Sequence, residues 1–182
     1  MPILYLVRHG RAAASWDRDL DPGLDDAGRE QARRAAETLA ALGPLDMIVS
    51  PMARTRETAA PLAERWKLQP RLETRVSEIP SRAADLKARG QWLRTIAAGN
   101  WSALDPTLRQ WRAEVIRALQ EAERDTVVVT HYIAINVATG AATSDDRVVN
   151  FHPDYCSITV LQSQDGRLTL VRLGAEAATK VL

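Results

Sequence analysis

Two of the three histidines, His9 and His131, each follow a short apolar run, and an arginine stands beside the first. Ile3 to Val7 leads into Arg8-His9-Gly10, and Val127-Val128-Val129-Thr130 leads into His131. A third run, Asp46 to Val49, leads through Ser50-Pro51 to Arg54. In open α/β sheets ligands bind beyond the carboxyl ends of the strands. If these runs are neighbouring strands, two imidazoles and two guanidiniums meet in one crevice. Helices starting after Ser50 and after His131 would add backbone N–H donors, which favour an anion. The combination suits phosphate or a phosphate ester. Singly, each residue has an ordinary explanation: a histidine after a strand is usually structural, and Arg54 could pair with Glu57 or Thr58. The inference rests on their coincidence. His152, in Asn150-Phe151-His152-Pro153, fits no such pattern and reads as structural or peripheral.

The elements that must position these residues are legible from pattern. Ile3 to Val7 reads as a buried strand, bounded by Pro2 and a polar stretch. Residues 11 to 25 are polar and rich in Asp, Pro and Gly, hence a loop. Asp25 or Asp26 can cap the next helix, which carries Ala32, Ala35, Ala36 and Leu39 at helical spacing and stops at Gly43-Pro44. Asp46 to Val49 is a second strand, and Ser50-Pro51 opens a helix with proline at its first position. A strand is expected near Leu72 to Val76. Residues 83 to 123 read as two or three helical pieces, broken near Gly99-Asn100 and Asp105-Pro106. Thr126 to Thr130 is a strongly buried strand, and His131 to Thr139 a helix with Gly140 near its end. Ser157 to Leu161 and Arg167 to Leu173 form a hairpin about Gln164-Asp165-Gly166. The order predicts an α/β three-layer sandwich: a mainly parallel sheet with an antiparallel strand from the hairpin.

Composition sets the limits. A chain of 182 residues fits one domain, residues 1–182, that buries roughly 70% of its unfolded surface. Hydrophobic residues are 46% and charged residues 26%, which excludes disorder. A net charge of +1 gives no broad field for nucleic acid or an anionic membrane. One cysteine, Cys156, excludes an intramolecular disulfide and a cysteine zinc cluster. No arginine follows it at the spacing of a Cys-x5-Arg phosphatase loop. Asp17, Asp19 and Asp21 imitate the start of a calcium loop, but Pro22 and Gly28 stand where glycine and glutamate are needed, so they read as a solvated loop. Glycine-rich nucleotide motifs are missing. No apolar run is long enough to span a membrane, and the N-terminus lacks the pattern of a signal peptide, so the expected compartment is the cytoplasm.

Leu6-Val7-Arg8-His9-Gly10 resembles the signature of the histidine phosphatase superfamily, which includes cofactor-dependent phosphoglycerate mutase. Further segments agree in order. Leu24-Asp25-Asp26-Ala27-Gly28-Arg29-Glu30-Gln31-Ala32 resembles the family's "LTxxGxxQA" stretch, and Ser50-Pro51-Met52-Ala53-Arg54-Thr55-Arg56-Glu57-Thr58-Ala59 its "SPxxRxxxTA" helix. Val76-Ser77-Glu78-Ile79 occupies the place of its acid-bearing segment, and Val128-Val129-Thr130-His131 is similar to its second-histidine strand.

The resemblance implies a phosphoglycerate mutase-like fold and a metal-independent phosphomonoesterase acting on a small phosphorylated metabolite, with no cofactor. His9 would take the phosphoryl group, while Arg8, Arg54 and His131 hold its equatorial oxygens and Tyr132 adds its peptide N–H. Glu78 would protonate the leaving group, with Glu73 as competitor. Two departures stand out. After Gly10 relatives carry a small hydroxyl or amide residue, and here Ser15 or Arg11 would have to substitute. Tyr132 stands where relatives commonly have glycine, which would narrow the pocket roof. Residues 77–112 are the expected substrate cover, with Arg82, Lys87, Arg89, Trp92, Arg94, Trp101 and Trp111 able to meet an anionic or ring-bearing substrate. The alternative for each tryptophan is an anchor in the core. Rival activities are mutase-type phosphoryl transfer, phosphohistidine protein phosphatase, and a phosphate-binding pseudo-enzyme. The short span between Arg54 and His131 favours hydrolysis over a mutase. The oligomeric state is left open, a homodimer included.

Overall fold

The computed structural model describes residues 1–15, 18–81 and 85–178. Asp17 and Arg82, discussed above, lie outside the described residues. The elements in chain order are β1 (Ile3–Arg8), α1 (Asp26–Ala40), β2 (Asp46–Val49), α2 (Ala53–Trp66), β3 (Arg71–Leu72), α3 (Leu86–Ala97), α4 (Pro106–Gln120), β4 (Thr126–Thr130), α5 (Tyr132–Thr143), β5 (Ile158–Gln164) and β6 (Arg167–Arg172). They build one six-stranded sheet of order β3-β2-β4-β1-β5-β6. β1, β2, β3 and β4 run parallel, and β5 is antiparallel to both β1 and β6. No helix among the described residues is long and apolar enough to cross a membrane.

Strand alternation explains the layers. Val7, Val49, Val127 and Val129 face one side, where Ala36 and Leu39 of α1 and Ala59 and Leu62 of α2 cover them. Leu4, Leu6, Ile48 and Val128 face the other and pack on α4 and α5 through Val115, Leu119, Ile133 and Val137. Trp101 is buried in this second core, and Trp92 and Trp111 pack against it. The tryptophans of the substrate-cover region are therefore anchors.

Local chemistry agrees with most of the expected boundaries. The Asp25 carboxylate accepts the Gly28 N–H at 2.7 Å and caps α1. The hairpin turn holds Asp165 at φ 49° and Gly166 at φ 70°, the left-handed pair that a two-residue turn demands.

Three expectations need correction. The strand near Leu72 to Val76 is only Arg71–Leu72, followed by a 3-10 turn over Thr74–Val76. There Glu73 donates its N–H to the Val49 carbonyl at 2.9 Å, and its carboxylate then accepts the Arg75 N–H, which curls the chain out of the sheet. α2 begins at Ala53 rather than at Pro51, and its cap comes from elsewhere: the Asp21 carboxylate accepts the Ala53 N–H at 2.7 Å. Asp21 is thus not simply a solvated loop residue. α5 runs past Gly140 to Thr143, because burial along Tyr132 to Gly140 outweighs the ~1 kcal/mol cost of an interior glycine.

Candidate active site

The parallel strands β1, β2 and β4 end side by side, so Arg8, Ser50 and Thr130 share one rim of the sheet. A cavity of about 520 Å³ opens there, with Arg8, His9, Arg54 and Glu78 on its walls. Two glycines allow this floor. A Cβ on Gly10 would meet the Gly28 carbonyl oxygen at 2.6 Å, and one on Gly28 would strike the Arg11 carbonyl. The loop after His9 can therefore lie on the start of α1. The Gly10 N–H donates to the Thr58 hydroxyl at 3.0 Å, which ties the same loop to α2.

His9 is buried, and its Nδ1 lies 2.8 Å from the Gly10 carbonyl oxygen. A carbonyl only accepts, so Nδ1 carries the ring proton and Nε2 keeps its lone pair. Burial, then the charges of Arg54 and Arg8, hold the imidazole well below its ordinary pKa. A neutral imidazole with a free lone pair is a nucleophile for phosphorus at neutral pH.

Arg54, in the first turn of α2, is 3% exposed, with Asp21 3.9 Å away. Its Nη2 donates to Nδ1 of His131 at 3.2 Å. Nε2 of His131 then carries the proton and donates to the Ser50 hydroxyl at 2.8 Å. His131 is fully buried and sits behind Arg54 rather than on the cavity wall. Burial and Arg54 hold its pKa well below the ordinary value, so it is neutral. The ring steers Arg54. Ser50 orients that ring; its serine-proline signal is visible in the sequence, but its partner follows another strand.

Glu78 lines the cavity and accepts N–H bonds from Ile79 at 2.9 Å and Ile133 at 3.2 Å. Burial pushes its carboxyl above the ordinary range, against the pull of those donors and of Arg54 and Arg8. A carboxyl whose pKa is raised keeps its proton to a higher pH than an ordinary one, which suits a group that must give a proton up. Through Ile133 the Glu78 carboxylate takes an N–H of the first turn of α5, the helix end expected to hold the anion.

Glu73 is set apart. Its carboxylate, 9% exposed, bonds Arg75 at 2.8 Å and Arg71 at 3.2 Å, and these hold its pKa down at about 2, chiefly through Arg75. Its role is structural. Glu73→Gln is expected to cost ~1–2 kcal/mol of stability at pH 7. A folded pKa below the unfolded one stabilises above the ordinary carboxylate range. The difference between variant and wild type should therefore shrink as pH falls toward about 2. Thermal melts across pH check this, and a constant difference would refute it.

Of the residues proposed to replace the missing phosphate contact, Ser15 lines the cavity. Arg11 does not: it points outward and pairs with Asp25 at 2.5 Å. Tyr132 does form part of the wall, with its ring against the Arg8 guanidinium. His152 is less peripheral than expected, because its Nδ1 meets the Tyr132 hydroxyl. The Cys156 thiol is pushed up to about 12 by burial, so no thiolate forms at neutral pH.

Comparison with known proteins extends this reading. A glucosyl-3-phosphoglycerate phosphatase of Mycolicibacterium vanbaalenii is 38% identical over 79 residues, 41% of this chain and 35% of that protein. The chain thus matches about a third of that relative's length. The native structure of a mycobacterial glucosyl-3-phosphoglycerate phosphatase shares the fold at a TM-score of 0.76 and 24% identity, covering 97% of this chain and 100% of that one. A phosphoserine phosphatase of Entamoeba histolytica, solved with 3-phosphoglyceric acid, gives 0.75 at 18% identity, covering 96% and 98%. The family model matches residues 4–176, and with the converged arginines and histidines on the rim of this sheet, the chain belongs to the histidine phosphatase superfamily, branch 1.

Proposed function

We propose that the protein is a metal-independent phosphomonoesterase that works through a phosphohistidine at His9 on a small phosphorylated metabolite. The observation that carries this is the His9 ring: Nδ1 is committed to the Gly10 carbonyl, Nε2 has no hydrogen-bond partner among the described residues, and the charges of Arg54 and Arg8 act on the ring. Arg8 and Arg54 neutralise the phosphoryl oxygens. Nε2 attacks phosphorus, the P–O bond to the leaving group breaks, and Glu78 gives its proton to the departing oxygen. Water then attacks the phosphohistidine, Glu78 takes its proton, and inorganic phosphate leaves. His131 holds Arg54 from behind, and Ser15 faces the same space. The activities named for the relatives, on glucosyl-3-phosphoglycerate and phosphoserine, support a small phosphorylated substrate.

The test is phosphate release from p-nitrophenyl phosphate in EDTA, with rapid-quench trapping of an acid-labile, alkali-stable phosphoprotein. Release with a trapped intermediate supports the reading. Transfer between hydroxyls of phosphoglycerate faster than release would make it a mutase, and binding without turnover a pseudo-enzyme.

Within residues 77–112, α3 turns Gly90, Leu93 and Arg94 toward the cavity, and these we assign to substrate selection. For Arg94→Ala, the ratio of kcat/KM for 3-phosphoglycerate to that for p-nitrophenyl phosphate should fall about fivefold, the value of a rim ion pair of ~1 kcal/mol. An unchanged ratio would remove Arg94 from selection.

A further inference from the structure

Arg8 poses an electrostatic problem. Its side chain is 4% exposed, and the carboxylates that act on it, Glu78 and Asp154, form no ion pair with it among the described residues. Its Nη1 donates to the Pro153 carbonyl at 2.8 Å, and its buried Nε has no hydrogen-bond partner among the described residues. What packs on the charge is aromatic. The guanidinium carbon lies 4.0 Å from the centre of the Tyr155 ring and 5.0 Å from that of Tyr132. A ring face attracts a guanidinium without cancelling its charge. A carboxylate in the same place would cancel it and compete with any arriving anion.

The segment that carries Tyr155 is built onto Arg8 itself. The Cys156 N–H donates to the Arg8 carbonyl at 3.0 Å, and the Arg8 N–H donates to the Ser157 carbonyl at 3.3 Å. Between them the chain turns through Cys156 at φ 54°, closed by the Ser157 N–H on the Asp154 carbonyl at 3.1 Å. The Tyr155 N–H is held by the Asp154 carboxylate at 2.7 Å. Outside the turn, the Asp154 N–H donates to the Ala175 carbonyl at 2.8 Å. One segment thus grips the Arg8 main chain and presses a ring on its side chain. The same ring reaches His9, at 6.1 Å between centres.

We infer that Tyr155 is a positioning residue: with Tyr132 it clamps the Arg8 guanidinium in its phosphate-binding orientation while leaving its charge available to the anion. The inference rests on the phosphate-handling reading of the site, and it reaches beyond that reading by giving a role to a residue outside every motif that marks it. Tyr155 acts through Arg8, and its hydroxyl is dispensable.

The test is a double-variant cycle on orthovanadate affinity, read by calorimetry without turnover. Tyr155→Leu should weaken binding about tenfold, within the range of a desolvated cation–aromatic contact. Tyr155→Phe should bind within about twofold of wild type, since the ring face is kept. In an Arg8→Ala background, Tyr155→Leu should change affinity less than about twofold. Equal losses in both backgrounds would mean that Tyr155 touches the anion directly, and unchanged affinity in Tyr155→Leu would mean no clamp; either overturns the inference. Rescue by Phe separates a clamp from a folding defect, as do matching thermal melts. Wild-type protein that binds no vanadate would overturn the reading of the site, and this inference with it.

Discussion

His9→Ala is expected to lower kcat for p-nitrophenyl phosphate in EDTA by ~10⁴-fold or more, while orthovanadate affinity changes far less. The asymmetry follows from how the site divides its work. Phosphate monoesters need on the order of 20 kcal/mol or more of barrier reduction, and a nucleophile that splits the reaction into two displacements is the part that binding cannot supply. Arg8 and Arg54 both have anchors other than the His9 ring. Arg8 is held by the Pro153 carbonyl and two tyrosine rings, and Arg54 by His131. The variant should therefore bind the anion and fail to turn over. No phosphoprotein should be trapped from it. Activity within tenfold of wild type would move the nucleophile elsewhere.

Glu78→Gln is expected to lower turnover of an alkyl ester such as glycerol phosphate by at least ~100-fold, the range of a positioned acid. The loss on p-nitrophenyl phosphate should be much smaller, because that leaving group departs without a proton. The two environments also set the pH dependence. His9 must be unprotonated, and its pKa is pushed down, so the acid limb of the profile lies below the ordinary histidine range. Glu78 must be protonated, and its pKa is pushed up, so the alkaline limb lies above the ordinary carboxylate range. Both displacements widen the window in which nucleophile and acid are ready together. In Glu78→Gln the alkaline limb of kcat/KM for glycerol phosphate should vanish. A persisting limb, or an equal loss on both substrates, would assign the proton to another group.

The first prediction concerns a residue that a strand end places near the chemistry, and the reason is geometric; Glu78 is marked only by its place in the family's pattern. A parallel strand that feeds a helix must present its last residues on the rim of the sheet. Arg8, His9, Arg54 and His131 follow directly from where the apolar runs stop. The strand limits Asp46 to Val49 and Thr126 to Thr130 and the Asp25 cap are equally local, since β-branched runs and capping side chains act on their own neighbours. Partners remote in sequence leave no such period or spacing to read. Asp21 caps α2 from the loop before α1, and Ser50 orients His131 from a neighbouring strand end. Whether Glu73 or Glu78 faces the cavity turned on one short 3-10 turn and on which arginines stood nearby. His131 moved behind Arg54, and Arg11 turned away to Asp25. Periodicity and chain order determined which residues reach the rim. Burial and long-range pairing, which exist only once the sheet has closed, decided which of them meet the cavity and what holds Arg8 in place.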